Sequence, residues 1–148
     1  MKMRISGGDI DAPSVVRVSF WSWIAAAAMG LIYSVLFFVA KNGLIEETIK
    51  ARPDLNADQI RSGASAFIWL TLILAVLFGS LYVYFAYKML AGERKQRVRL
   101  LIAGVLHLVV SLLFPVNLIV LIGVVLSVVG ALTMYLPAPA KAYFTTEV

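Results

Sequence analysis

Forty-one consecutive residues, Leu100 to Ala140, contain no Asp, Glu, Lys or Arg, and only Phe114-Pro115-Val116-Asn117 marks the middle of the run. A helix crosses the hydrocarbon core of a bilayer in roughly 20 residues, so the run is too long for one crossing and suits two. Pro and Asn at its centre supply a turn. The stretch between Arg99 and Lys141 therefore predicts a helical hairpin in a membrane.

The rest of the chain fits that reading. Only 14% of the 148 residues are charged, against about 25% in soluble domains, so one integral membrane domain is expected. The sequence pI is about 9.7, but the basic residues flank apolar spans. That is the pattern of membrane orientation, not of a nucleic-acid partner. With no cysteine, there is no disulfide framework, thiolate nucleophile or Cys-ligated metal.

Residues 1–17 read as a short polar tail, and Ser14 after Pro13 reads as the N-cap of a first helix. The apolar region that follows is too late and too long for a cleaved signal peptide. The first span is placed at about 18–40, with Trp21 and Trp23 at the headgroup boundary and Lys41-Asn42-Gly43 as its end. Residues 41–61 are expected to form an outer loop of balanced charge. Leu44, Ile45 and Ile49 fall there at helical spacing, as for a short interfacial helix before Pro53. Asn56 followed by Gln59 resembles a capping box that opens the second span, about 62–87. Tyr82, Tyr84, Phe85 and Tyr87 crowd its far end as an aromatic belt.

A basic cytoplasmic loop, 88–99, turns at Ala91-Gly92 into a third span, about 98–114, and a fourth follows at about 117–136. Pro137 and Pro139 stop that helix before a short tail. The N-terminal tail, the 88–99 loop and the C-terminal tail hold nine Lys/Arg, against four in the other two connections. The positive-inside rule then puts both termini in the cytoplasm. The expected fold class is all-α, a four-transmembrane-helix bundle, N-in/C-in, in a bacterial plasma (inner) membrane.

Apart from Arg99 at the entry of the third, the spans contain no Asp, Glu, Lys or Arg, although embedded charges are what usually mark proton relays and ion paths. Paired carboxylates for acid–base catalysis and acidic ligands for a hard metal are absent with them. His107 is the one embedded ionisable residue, with Ser111 at i+4 and Gly104 at i−3 on the same face. His107 and Ser111 are thus the candidate intramembrane polar site. One reading is a proton-sensitive or ligand-contacting imidazole; the simpler one is a neutral histidine bonded to a neighbouring helix. A lone histidine makes neither a zinc site nor a triad. Asn117 reads as a turn residue. Small residues at four-residue spacing (Ala26, Gly30, Ser34; Ala75, Gly79; Gly123, Ser127, Ala131) suit close helix packing, mostly internal. Lys88, Arg94, Lys95, Arg97 and Arg99 are candidate contacts to an acidic partner or to anionic headgroups, each worth on the order of 1 kcal/mol near such a surface. The same charges also serve as a topological anchor.

The segments SFWSWI and YKMLAGERKQRVRLLIAGVL resemble a group of small four-helix membrane proteins of actinobacteria. That group has an aromatic "FWLW" entry to helix one and a basic K-M-x-x-G-x-x-x-A-R-x-L-L segment leading into helix three. The match runs through Pro13, Phe20, Trp21, Trp23, Lys88, Met89, Gly92, Arg99 and Leu101, and departs at Arg97-Val98, where the group usually has Trp-Ala. The resemblance implies a four-helix bundle of uncharacterised activity, of a kind sometimes found as an accessory subunit of a larger envelope assembly, such as a mycobacterial Mce-type lipid importer. It carries over no catalytic residues.

The functional expectation is therefore an accessory subunit of a bacterial membrane complex for envelope lipid transport. Its partners would be a larger membrane protein complex and membrane lipids, without nucleic acid, cofactor or metal, and without enzyme activity. The alternative from another class is a small homo-oligomeric transporter or lipid-binding membrane protein.

Overall fold

Helix formation follows the apolar runs but does not stop where they stop. The computed structural model describes residues 3–5, 8–10 and 12–145; the remainder of the expected tails lies outside the described residues. Five helices follow one another: α1 (Ser14–Ala51), α2 (Ala57–Leu90), α3 (Arg94–Ser111), α4 (Leu118–Tyr135) and α5 (Ala138–Thr145). Ahead of them, strands β1 (Met3–Ile5) and β2 (Gly8–Ile10) form a three-residue antiparallel pair.

Three helices, α1, α2 and α4, are long and apolar enough to cross a membrane, as a multi-pass membrane protein requires. The expected third span differs in composition. Arg94, Lys95, Arg97 and Arg99 are all helical and sit within the first six residues of α3, which leaves only Leu100–Ser111 uncharged. Many large apolar side chains point outward, among them Val35, Ile73, Val125 and Leu132. Such a surface suits lipid, and in water it would be an aggregation liability.

The expected outer loop 41–61 is mostly helix. Lys41-Asn42-Gly43 does not end α1, which continues to Ala51, and only residues 52–56 connect it to α2. The apolar seam explains this: Ile45 is buried on the extension. Glu46 also faces Arg61 of α2 at 3.6 Å, an exposed pair that adds little. Glycine at 43 costs roughly 1 kcal/mol of helix propensity, too little to break a helix paired with its neighbour. Pro53 terminates α1, because the residue before a proline is pushed out of the helical region. At 38 and 34 residues, α1 and α2 are about 57 and 51 Å long against a hydrocarbon core of ~30 Å. Both project well beyond it.

The caps divide. Ser14 is the first helical residue and Pro13 holds the N-cap position without a side-chain bond. Proline tolerates that end because it lacks only an N–H that has no intrahelical partner there. Asn56 caps α2 as expected, its side chain accepting from Asp58 N–H at 2.9 Å and from Gln59 N–H at 3.4 Å. Asn117 caps α4 by accepting from Val120 N–H at 3.0 Å. Gly92 takes φ +90° in the α2–α3 turn, the left-handed C-terminal position that glycine adopts at least cost.

α1 and α2 pack antiparallel through Phe20–Tyr87, Trp23–Tyr82 and Phe37–Phe67 ring contacts and a Ser34 hydroxyl that donates to Thr71 O at 3.3 Å. α4 lies on α1, with the Ser19 hydroxyl donating to Gly130 O at 2.6 Å. α3 runs antiparallel to α2, with His107 against Phe78 and Tyr82 and the residues that flank α3, Glu93 and Phe114, beside Lys88 and Phe67. It leans mainly on α2 and meets α4 only sparsely. The expected short C-terminal tail is instead α5, which folds back so that Phe144 joins the core cluster that includes Val16, Phe20 and Met134. The Tyr143 hydroxyl donates to Leu90 O at 2.7 Å, satisfying a carbonyl at the end of α2. The tight core thus collects at the end of the bundle that holds both chain ends.

Candidate functional site

Away from that core the helices do not close. A cavity of about 190 Å³ lies between α1, α2, α3 and α4. An apolar void of ~150 Å³ already stays dry and admits benzene, so this space is large enough for part of a hydrocarbon chain. Val105, Leu108 and Val128 line it and are nevertheless 53%, 44% and 48% exposed. The cavity is therefore a groove, open sideways between α3 and α4.

Trp23 creates it. Its indole is 1% exposed and lies across the gap between Gly104 of α3 and Gly130 of α4. A Cβ at Gly104 would come within 2.7 Å of the ring, and one at Gly130 within 2.8 Å. The ring props α3 away from α4 and closes the groove at the end nearer the tight core. Edge-on contact with Tyr82, at 4.9 Å between centroids, fixes its tilt. The sequence placed Trp23 with Trp21 at the headgroup boundary. Two residues on a helix are ~200° apart at 3.6 residues per turn, so one faces out and the other in: Trp21 is exposed and Trp23 is core. Tyr82, counted in the belt at the far end of α2, is likewise buried.

His107 and Ser111 both line the groove, as does Gly104. His107 Nδ1 shares a 2.8 Å hydrogen bond with the Tyr82 hydroxyl, and its ring stacks on Phe78 at 4.5 Å. The Ser127 side chain lies beside the same phenol. The imidazole is thus anchored to α2. The Ser111 hydroxyl donates to His107 O at 2.7 Å. Ser34, Thr71 and Ser127 likewise donate to carbonyls four residues back in their own helices. The groove is rich in hydroxyls by sequence and apolar in effect. The small-residue stripes turn inward: Ala26, Ser34, Ala75 and Gly79 are buried, and Gly30, Gly123, Ser127 and Ala131 line the groove.

The five basic candidates separate. Arg97 turns inward, its Nη1 donating to Met134 O at 3.2 Å and its guanidinium lying 4.3 Å from the Tyr135 ring centroid and 4.7 Å from that of Phe144. A cation at the C-terminus of α4 is favoured by the helix dipole, so Arg97 ties α3, α4 and α5 together. Lys88 pairs with Glu93 at 3.2 Å. Glu93 also accepts from Gln96, and Gln96 accepts from Arg99. The Gln96 hydrogen bond first, then Lys88, holds the Glu93 carboxyl below its ordinary pKa. Arg94 and Lys95 are exposed at the start of α3.

Sequence reasoning missed Trp23 and Tyr82 as groove residues because aromatic residues near span ends read as interface anchors, and it gave Tyr33, within the first span, no role. The available signal was helical phase: Trp23, Ala26 and Gly30 share one face of the first helix. Among the described residues, no group of His, Asp and Glu is placed to hold a metal. Comparison with protein-family models, with curated proteins and with solved structures finds no match. The site stands on its own geometry.

Proposed function

We propose that this chain is a lipid-handling membrane subunit, a four-span bundle with both termini cytoplasmic, which shelters one hydrocarbon chain in the groove between α3 and α4. The observation that carries the reading is the sideways opening of that groove toward the surface that faces lipid. The four-span placement is supported by α3 running along α2 from Lys88 to Phe67. That separation of twenty-one residues corresponds to about 32 Å, close to the ~30 Å hydrocarbon core. The excess of Lys/Arg at the chain ends and in the α2–α3 connection supports the cytoplasmic assignment. Residues 18–40, 62–87, 100–114 and 117–136 of the spans contain no Asp, Glu, Lys or Arg, so a directed transport step would draw its energy from another subunit. This is the reason to place the protein beside a larger envelope lipid-transport assembly in a bacterial plasma membrane.

The test is photocrosslinking with a diazirine-bearing fatty chain on the protein reconstituted in nanodiscs. Labels are expected on groove residues of α3 and α4. Val124→Trp, which fills the groove, should abolish them, whereas Val125→Trp, on the exposed side, should not. Equal labelling of all outward apolar faces in both variants would refute the proposal.

A further inference from the structure

Within the groove, one hydroxyl stands apart. Ser34, Thr71, Ser111 and Ser127 all donate to carbonyls, and Tyr82 is bonded to His107. Tyr33 lines the same space and is only 9% exposed, yet its buried Oη has no hydrogen-bond partner. Asn117 is the polar side chain beside it but makes no hydrogen bond to the phenol; its Oδ1 accepts from Val120 N–H at 3.0 Å. Trp23 Nε1 is also unpartnered, but it lies against Gly130, where even a Cβ would sit 2.8 Å away, so no ligand atom fits there. An unpaired buried donor is costly, and an acceptor that meets it is correspondingly favoured.

Two further facts define that acceptor. No Asp, Glu, Lys or Arg lines the groove, and its one histidine, His107, is held by Tyr82 and Phe78, so a carboxylate or phosphate at Tyr33 would lie in apolar surroundings without a fixed counter-charge. Position supplies the second. Tyr33 sits at the end near the α3–α4 turn, with Phe114, Ile119 and Val120, whereas Trp23 closes the opposite end. Ten residues of α1 separate the two, about 15 Å.

We infer that the groove takes a long-chain acyl ester, its carbonyl oxygen accepting from the Tyr33 hydroxyl and its hydrocarbon running toward Trp23. This rests on the lipid-handling reading and adds to it a neutral polar end and a direction of entry. A ligand without an acceptor would leave the phenol unpaired, and an ionised one would be excluded by the absent counter-charge.

The test uses the full chain in detergent and measures displacement of a diazirine-bearing alkane by methyl hexadecanoate, hexadecane and ionised hexadecanoate. Wild type is expected to favour the ester over the alkane by roughly 3- to 10-fold, the worth of one hydrogen bond. It should bind the ionised acid more weakly than the ester. Tyr33→Phe should lose the preference, bind the alkane as before and keep the wild-type unfolding midpoint, since the lost hydroxyl has no internal partner. Displacement by a diacyl phospholipid but not by its diether analogue would place the ester on a membrane glycerolipid; displacement by the methyl ester alone would place it on a free ester. Ester preference retained in Tyr33→Phe, or an ionised acid bound as tightly as the ester, overturns the inference while the groove stands. If neither ester nor alkane displaces the probe from wild type, the lipid-handling reading falls as well.

Discussion

Substituting the two glycines that flank Trp23 tests how the groove is made. A Cβ added at Gly104 meets the indole at 2.7 and 3.1 Å, and one at Gly130 meets it at 2.8, 3.0 and 3.1 Å. Carbon atoms prefer about 3.5–4.0 Å, so the overlap is close to an ångström at each site. The ring has little room to retreat, being buried on both faces and set edge-on to Tyr82. Overpacking of this kind costs roughly 1–3 kcal/mol, while replacing a helical glycine by alanine returns about 1 kcal/mol. Gly30→Ala isolates the two effects, because nothing lies within 4 Å of a Cβ there. Gly104→Ala and Gly130→Ala should therefore each be less stable than Gly30→Ala by ~1–3 kcal/mol, the propensity gain cancelling in the comparison. Reversible unfolding of the full chain in mixed micelles measures the difference. Adding Trp23→Leu to Gly104→Ala should recover much of the loss, as coupled neighbours in a double-mutant cycle do. Alanine variants at 104 and 130 as stable as Gly30→Ala would refute the idea that Trp23 props the helices apart.

Further expectations concern the elements around the groove. Tyr82→Phe removes the bond to His107 and should cost about 0.6 kcal/mol, the average for polar contacts between membrane helices, by the same unfolding assay. Arg97→Lys replaces a planar cation lying between two rings with a point charge that stacks poorly; faster hydrogen exchange in α5, and little change at the Asn56 cap of α2, is the expected signature. For Glu93 the sign follows from its depressed pKa. Its contribution is complete at neutral pH and is lost as pH falls below the ordinary carboxylate range and through the folded value. Exchange at the α2–α3 turn should thus quicken on acidification in wild type and lose that dependence in Glu93→Gln.

How much of this was legible from residues alone varies by element. The helices, the turns at Ala91-Gly92 and Pro115–Asn117 and the Asn56 cap follow from local chemistry, because each needs only the residues within one turn of itself. Lys41-Asn42-Gly43 misled for a tertiary reason: a stop signal worth about 1 kcal/mol yields when the neighbouring helix continues alongside. α5 was hidden in the same way. Pro137 and Pro139 mark an end, but only the core around Val16, Phe20 and Met134 gives Phe144 a place to fold back into.

The uncharged run from Leu100 to Ala140 predicted by itself two apolar helices with a break at Pro115–Asn117, and α3 and α4 follow it; α4, with α1 and α2, is long and apolar enough to cross a membrane. His107 and Ser111 were visible there as the polar residues of one helix face. Tertiary structure alone decided that the imidazole is held by Tyr82, that Ser111 is bonded within its own helix and that Tyr33 is the hydroxyl left open. Hydrogen-bond partners on separate helices are set by rotation and register, which apolar composition does not encode. The groove has the same origin. Small residues allow helices to approach, and whether they do depends on where one large ring is wedged between them.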